Sequence, residues 1–245
     1  MKGGLMKLIY KVNIDEIGKF IDRPNRFTAS LELNNNEIIT AHVHDSGRIK
    51  ELLFPGNQVF LRKAKNIENR KTLWDVIAAC ADDNEEILIN SSIHRYITDN
   101  YFKNEDISIF GKIDFIKPEV KFGNSRLDYL IEKNGEKIYI ETKGVSLSKN
   151  KIATFPDAPS VRATKHLNEL IEIKKSGHRA AVILIILRDS DFFVPNYETD
   201  PIFYKTFYKA IEEGVEVYPL QFSFINGEIF FKHKKIKIIP YKNNF

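Results

Sequence analysis

One cysteine, Cys80, stands in 245 residues, so no intrachain disulfide can form. Cys/His pairs at ligand spacing are absent too, which removes structural zinc. Cys80 sits in the apolar run Val76-Ile77-Ala78-Ala79-Cys80-Ala81 and reads as a buried, inert thiol rather than a nucleophile. The longest apolar stretch, 180–187, is far short of the roughly 20 residues that span a bilayer. Met1-Lys2-Gly3-Gly4-Leu5-Met6 has no signal-peptide apolar region. The expectation is a cytoplasmic protein without a membrane partner. Neither a P-loop nor a GxGxxG occurs, which leaves a sugar-phosphate enzyme without a pocket signature. Repeats are missing, and the one low-complexity tract is Asn34-Asn35-Asn36, read as a hairpin tip. The net charge of +4 permits a polyanionic partner without requiring one.

What the chain does have is punctuation. Residues 118–144 read as three antiparallel strands joined by two tight turns, Gly123-Asn124 and Asn134-Gly135. Such pairs dominate two-residue hairpin loops because the favoured turns need positive φ. The second turn sets Lys133 opposite Glu136, which brings Asp128 opposite Glu141 and Arg126 opposite Lys143. The first sets Glu119 opposite Asp128 and Lys121 opposite Arg126. Opposed residues share a face at Cβ separations of roughly 5 Å. An acidic row, Glu119, Asp128 and Glu141, would then lie beside a basic row, Lys121, Arg126 and Lys143.

Like charges at about 5 Å repel by about 3 kcal/mol at an effective dielectric near 20. A divalent cation reverses the sign, since Mg²⁺ is held by one or two carboxylates plus phosphate oxygens. The basic row would face the phosphate, a setting for metal-assisted phosphodiester hydrolysis. The plainer alternative is a solvated sheet face.

The first 85 residues read as short strands: 27–33, 37–43, 58–62 and 72–79, a pattern that suggests a small OB-like barrel. Such barrels stack bases on aromatics beside cations. Phe20, Arg23, Arg26, Phe27, Arg48, Phe54 and Arg62 are the candidates, against a core role for the phenylalanines. Arg62, Lys63, Lys65, Arg70 and Lys71 cluster in one segment, and Lys232, Lys234, Lys235, Lys237 and Lys242 cluster in the tail. His42 and His44 share a face but lack a third ligand.

Past Asp82-Asp83-Asn84-Glu85 the pattern changes. Ser91 or Ser92 caps a helix to about Phe102, the meander follows, and Ser160 caps a helix to about Lys175 with Ala163, Leu167, Leu170 and Ile171 on one stripe. Residues 180–187 read as a parallel strand covered on both faces. Asp200-Pro201 opens another helix that ends at Gly214, and a strand begins at Val215. The fold class is therefore α+β or α/β in two domains, 1–85 OB-like and 86–245 mixed α/β.

Seven short motifs together carry a family resemblance: Arg23-Pro24-Asn25-Arg26-Phe27; His42-Val43 with Gly47-Arg48; Glu51-Leu52-Leu53 with Pro55-Gly56; Gly123-Asn124-Ser125-Arg126-Leu127-Asp128-Tyr129; Glu141-Thr142-Lys143-Gly144; Phe155-Pro156-Asp157-Ala158; and Lys165-His166-Leu167. Nearly end to end, the chain resembles the sugar fermentation stimulation protein A family, whose second domain looks like a PD-(D/E)XK nuclease. The resemblance implies an OB-like first domain and largely sequence-independent binding to DNA. It also makes Asp128 and Glu141 metal-binding acids and Lys143 the motif lysine. Some relatives are described only as DNA-binding regulators of sugar metabolism. The chain departs from the family at Ser160-Val161-Arg162-Ala163, where an acid is missing, and at His44-Asp45-Ser46.

The combined expectation is a DNA-binding protein, with RNA as the alternative ligand. Glu119, Asp128 and Glu141 would hold Mg²⁺ or Mn²⁺. Asp128, Glu141 and Lys143 would carry catalysis, with Lys143 orienting water or stabilising the phosphorus centre. Arg23, Arg26, Arg48, Arg62, Lys121, Arg126 and Lys165 would contact nucleic acid. A dimer is compatible with the sequence. The rival expectation is a non-catalytic DNA-binding regulator that keeps the nuclease scaffold.

Overall fold

The computed structural model describes residues 6–45, 47–65, 68, 70–123 and 125–241. The leader residues Met1 to Leu5, Ser46, Asn124 of the first turn and Lys242 of the basic tail lie outside the described residues. The chain divides into two compact units, the first running to Thr98 and including Phe222–Lys232, the second comprising Asp99–Gln221 and the residues from His233 onward.

The first unit contains β1 (Met6–Lys11), β2 (Glu16–Asn25), β3 (Thr28–Leu33), β4 (Ile38–His42), β5 (Gln58–Lys63), β6 (Trp74–Cys80) and β7 (Glu86–Leu88). Five of these close a barrel. β3 pairs antiparallel with β2 and β4, and β5 pairs antiparallel with β2 and β6. A parallel contact between β4 and β6, Ala41↔Trp74 and His42↔Asp75, shuts the ring. Alternation supplies the interior: Ala29, Leu31, Ala41, Val59, Leu61 and Ala78 are fully buried. Phe20 is also core, which takes it off the proposed stacking surface, whereas Phe27 is 48% exposed and Phe54 is 40% exposed. Cys80 is only half-buried, at the end of β6, and burial raises its thiol pKa.

Asn90, not Ser91 or Ser92, begins the next helical segment. Its side chain accepts from the Ser92 amide and starts a 3-10 turn, Ser91–Ile93, that runs into α1 (His94–Lys103). An Asx side chain caps as well as a serine, and here it lies one residue earlier.

The second unit is built on β8 (Phe115–Phe122), β9 (Ser125–Lys133), β10 (Glu136–Val145), β13 (Arg179–Ile186) and β15 (Glu216–Ile225), in the sheet order β15-β13-β10-β9-β8. β8, β9 and β10 form the antiparallel meander, while β13 runs parallel to both β10 and β15. All but the first residue of β13 are buried, as a strand covered on both faces requires. A smaller sheet joins β11 (Ser148–Lys149), β12 (Ile152–Phe155), β14 (Phe192–Pro195) and β17 (Lys237–Ile238). β16 (Glu228–Lys232) returns to the first unit and pairs with β1.

The second turn of the meander is a two-residue loop, and the pairing on either side of the first is in the expected register. Lys133 pairs with Glu136, and Phe122 pairs with Ser125. Asn134 and Gly135 have φ of 51° and 79°, the left-handed values such a loop requires.

α2 (Val161–Lys175) packs on one face of the larger sheet, and α3 (Pro201–Glu212) packs against α2 and β14. Ser160 accepts from Ala163 N–H to cap α2, and Asp200 accepts from Phe203 N–H to cap α3. α2 buries Ala163, Leu167, Leu170 and Ile171 against Val182, Leu184 and Ile186 of β13, and with them it buries His166.

Candidate active site

Alternation along β10 points Tyr139, Glu141, Lys143 and Val145 to the same side, and Tyr139 and Val145 belong with the α2-facing core. Glu141 is therefore an acid beneath a helix, with only 2% of its side chain exposed. Its Oε1 accepts from Lys143 Nζ at 2.5 Å and from His166 Nδ1 of α2. Oε2 is buried and has no hydrogen-bond partner among the described residues.

Asp128 reaches the same neighbourhood from β9. The ladder between β9 and β10 ends at Ile140↔Tyr129. Beyond it the Asp128 carboxylate takes over the backbone's role: Oδ2 accepts from Thr142 N–H at 2.7 Å and from Thr142 Oγ1 at 2.6 Å. Each acid thus has one oxygen engaged by protein donors.

The electrostatics push the two carboxyls apart. Burial raises the Asp128 pKa, and the Glu141 charge raises it further, against the Thr142 hydrogen bonds. Burial would raise Glu141 as well, but the His166 hydrogen bond and the charge of Lys143 more than offset it and hold Glu141 below its ordinary value. Neighbouring carboxyls driven in opposite directions are the usual signature of divided roles in catalysis.

Glu119 does not join them. Its backbone adopts φ of 53° within β8, and its 59% exposed side chain meets Arg126 Nη1 at 3.4 Å. Leu127 and Leu130, three apart on β9, both reach the same core, so strict alternation breaks next to Asp128. Register counting assumes unbroken alternation, and for that reason it overstated the acidic row. Among the described residues no three His, Cys, Asp or Glu converge in a metal-holding group. The basic row is divided likewise: Lys121 pairs across to Arg126 in register and both are exposed, while Lys143, 16% exposed, lies against Glu141. Lys165 points outward, 53% exposed, 3.8 Å from Glu169.

In the barrel, Arg23 holds the fold. Its guanidinium donates to the carbonyls of Arg26, Asp45, Gly47 and Arg48 at 2.6–2.9 Å. Arg62 meets Asp75 at 3.3 Å, and Asp75 also takes Arg70 and, at 3.1 Å, His44. The Arg26 guanidinium lies 5.7 Å over the exposed Phe27 ring, which in turn stacks near His42. Arg48 is exposed. Sequence reasoning missed the contacts of His166 and Thr142. The available signal was a lone histidine within the apolar stripe of α2, between Ala163 and Leu167.

A closed five-strand barrel and a mixed α/β unit with paired carboxylates and a lysine on adjacent strands define a two-domain protein of OB plus mixed-sheet architecture. The model of the "SfsA N-terminal OB domain" matches residues 21–89, and that of the "Sugar fermentation stimulation protein RE domain" matches 92–228. The chain belongs to the sugar fermentation stimulation protein family. It is 42% identical to the sugar fermentation stimulation protein homolog of Thermosipho melanesiensis over 234 residues, covering 96% of this chain and 99% of the relative. The homolog of Methanococcoides burtonii is 42% identical over 231 residues, covering 92% and 93%. The solved structure of Pyrococcus furiosus SfsA in complex with Ca²⁺ superposes with a TM-score of 0.87 at 27% identity, covering 96% of this chain and all of that one.

Proposed function

We propose that this protein binds DNA and hydrolyses phosphodiester bonds at a divalent-metal site formed by Asp128 and Glu141, with Lys143 beside them. The observation that carries the reading is Glu141 Oε2, a buried carboxylate oxygen left without a hydrogen-bond partner among the described residues, next to a second, half-buried acid. An orphaned hard oxygen of that kind fits Mg²⁺ or Mn²⁺, for which one or two carboxylates plus phosphate and water suffice. That the Pyrococcus furiosus SfsA structure is a complex with Ca²⁺ supports a divalent ion as the ligand class. When bound, such an ion would polarise the phosphate and lower the pKa of a coordinated water.

The chain's own groups do the rest. Asp128 and Glu141 fix the position of the charge. Lys143, held by Glu141, is placed to stabilise negative charge that develops on the phosphate. Arg26, Arg48 and Phe27 of the barrel, and Lys121 and Arg126 of the second unit, supply backbone contacts and a stacking ring. Along the sequence, we assign residues 1–85 to the OB-like domain and 86–245 to the nuclease-like domain, in a cytoplasmic protein.

The test is incubation with labelled single- and double-stranded DNA and RNA, with Mg²⁺, Mn²⁺ or chelator. Wild type should cut only with metal. Asp128→Ala and Glu141→Ala should lose cleavage by at least about 100-fold, within the range of removing one transition-state stabilising group, while binding DNA as well or better. Absence of cleavage by wild type under every condition ends the catalytic claim.

A second reading, a DNA-binding regulator without cleavage, is favoured by Glu119 standing apart and by Lys143 being tied to Glu141. Metal-independent DNA affinity, unchanged in Asp128→Ala, would select it.

A further inference from the structure

We propose that His166 is a positioning residue that selects which oxygen of Glu141 is offered to a metal; this rests on the metal-site reading above. The geometry is one-sided. His166 lies on α2, its side chain 6% exposed, and its Nδ1 meets Glu141 Oε1, the same oxygen that takes Lys143 Nζ. Two donors saturate Oε1. Oε2, also buried, receives none.

A carboxylate on a strand rotates about its last bond with little resistance, and a buried one with both oxygens open would be free to chelate in either orientation or in both. With Oε1 engaged from the helix side, Glu141 presents a single oxygen at a defined place. Asp128 shows the same division of labour by a different device, since both Thr142 donors converge on Oδ2. The acids are therefore arranged to ligate through one oxygen each, which leaves the remaining positions around a six-coordinate ion to water and phosphate. Groups that orient a ligating carboxylate by hydrogen bonding typically change metal affinity by about 10- to 100-fold when removed.

His166 is suited to this role because an imidazole combines a directed N–H with an apolar body. Leu167 and Leu170 continue the same buried stripe, so the ring packs as core while its nitrogen works on the acid. The carboxylate accepts, so Nδ1 carries the proton at this contact.

The experiment is calorimetric titration of the full-length protein with Mn²⁺, in parallel with apo unfolding curves, for wild type, His166→Asn, His166→Leu and Glu141→Gln. Asparagine keeps a donor close to the Nδ1 position, and leucine has nearly the same shape without it. Expected is a loss of about 10- to 100-fold in Mn²⁺ affinity for His166→Leu and recovery to within about threefold of wild type for His166→Asn. Wild-type affinity in His166→Leu, or equal losses in both His166 variants, would overturn the positioning role while leaving the metal site standing. A wild type that takes up no Mn²⁺ removes the metal site and this inference with it. If His166→Leu does not fold, the imidazole ¹⁵N spectrum of wild type with Mg²⁺ decides: a protonated Nδ1 retained on metal addition supports the role, and loss of that proton, making His166 itself a ligand, overturns it.

Discussion

Asp75 gathers two guanidiniums, Arg62 and Arg70, and the His44 imidazole in the barrel wall, with only 4% of its own side chain exposed. Burial would raise its carboxyl, but the hydrogen bonds from His44 and Arg70 hold it well below the usual range. A lowered folded-state pKa stabilises the fold wherever the unfolded carboxyl is already ionised, above about pH 4. That contribution should drain away as pH falls through 4 toward the lowered value. Asp75→Ala should cost about 3 kcal/mol by urea unfolding at neutral pH, since it strands two half-buried guanidiniums, and the variant should lose less further stability between pH 4 and pH 2 than wild type. Asp128 has the opposite sign. Its raised pKa means that the fold disfavours the ionised form, so apo stability should decline as pH rises through about 4 and above. Asp128→Asn removes that penalty and should stabilise the metal-free protein by about 1 kcal/mol while abolishing cleavage, a trade read by thermal unfolding beside the nuclease assay.

Among the elements, α2 and α3 begin at a shared residue. Asp200 Oδ1 accepts from Phe203 N–H and caps α3, while Oδ2 accepts from Ser160 N–H at the start of α2, both at 2.9 Å. Asp200→Ala should therefore cost about 2 kcal/mol, the upper end for a single cap, and Asp200→Asn much less, as measured by urea midpoints. These caps were legible, because Ser160, Asp200-Pro201 and the hairpin turn Asn134-Gly135 declare themselves within four residues of chain. The strand order of the meander and the doubly covered β13 followed from the same local chemistry. His166 to Glu141 and His44 to Asp75 were not legible: the partners are 25 and 31 residues apart, and only the packing of a helix on a sheet or the closure of a barrel brings them together. Glu119 failed for a third reason. A left-handed backbone residue inside a strand redirects its side chain, and the one local sign of it is Pro118, which marks an irregularity without saying which way Glu119 turns.

At the scale of the molecule, the net charge of +4 is small, so affinity for DNA must come from where the cations stand. Arg26, Arg48, Lys121, Arg126 and Lys165 are exposed, and Arg23 is spent on four carbonyls. The logarithm of DNA affinity should fall linearly with log salt, and Arg48→Ala or Lys121→Ala should each reduce the slope by about 1, measured by fluorescence anisotropy between 50 and 200 mM salt. Arg23→Ala should instead destabilise the barrel without that specific change in slope. The two-residue loop at Asn134-Gly135 has a consequence of another kind. Because side chains alternate sides along a strand, one extra amino acid there that slipped β10 by a single position would put Ile140 in the place of Glu141 on the side facing His166. The peptide would keep every ingredient of its chemistry and lose the recipe, so natural variation in length should be tolerated at the Asn34-Asn35-Asn36 tip and forbidden here.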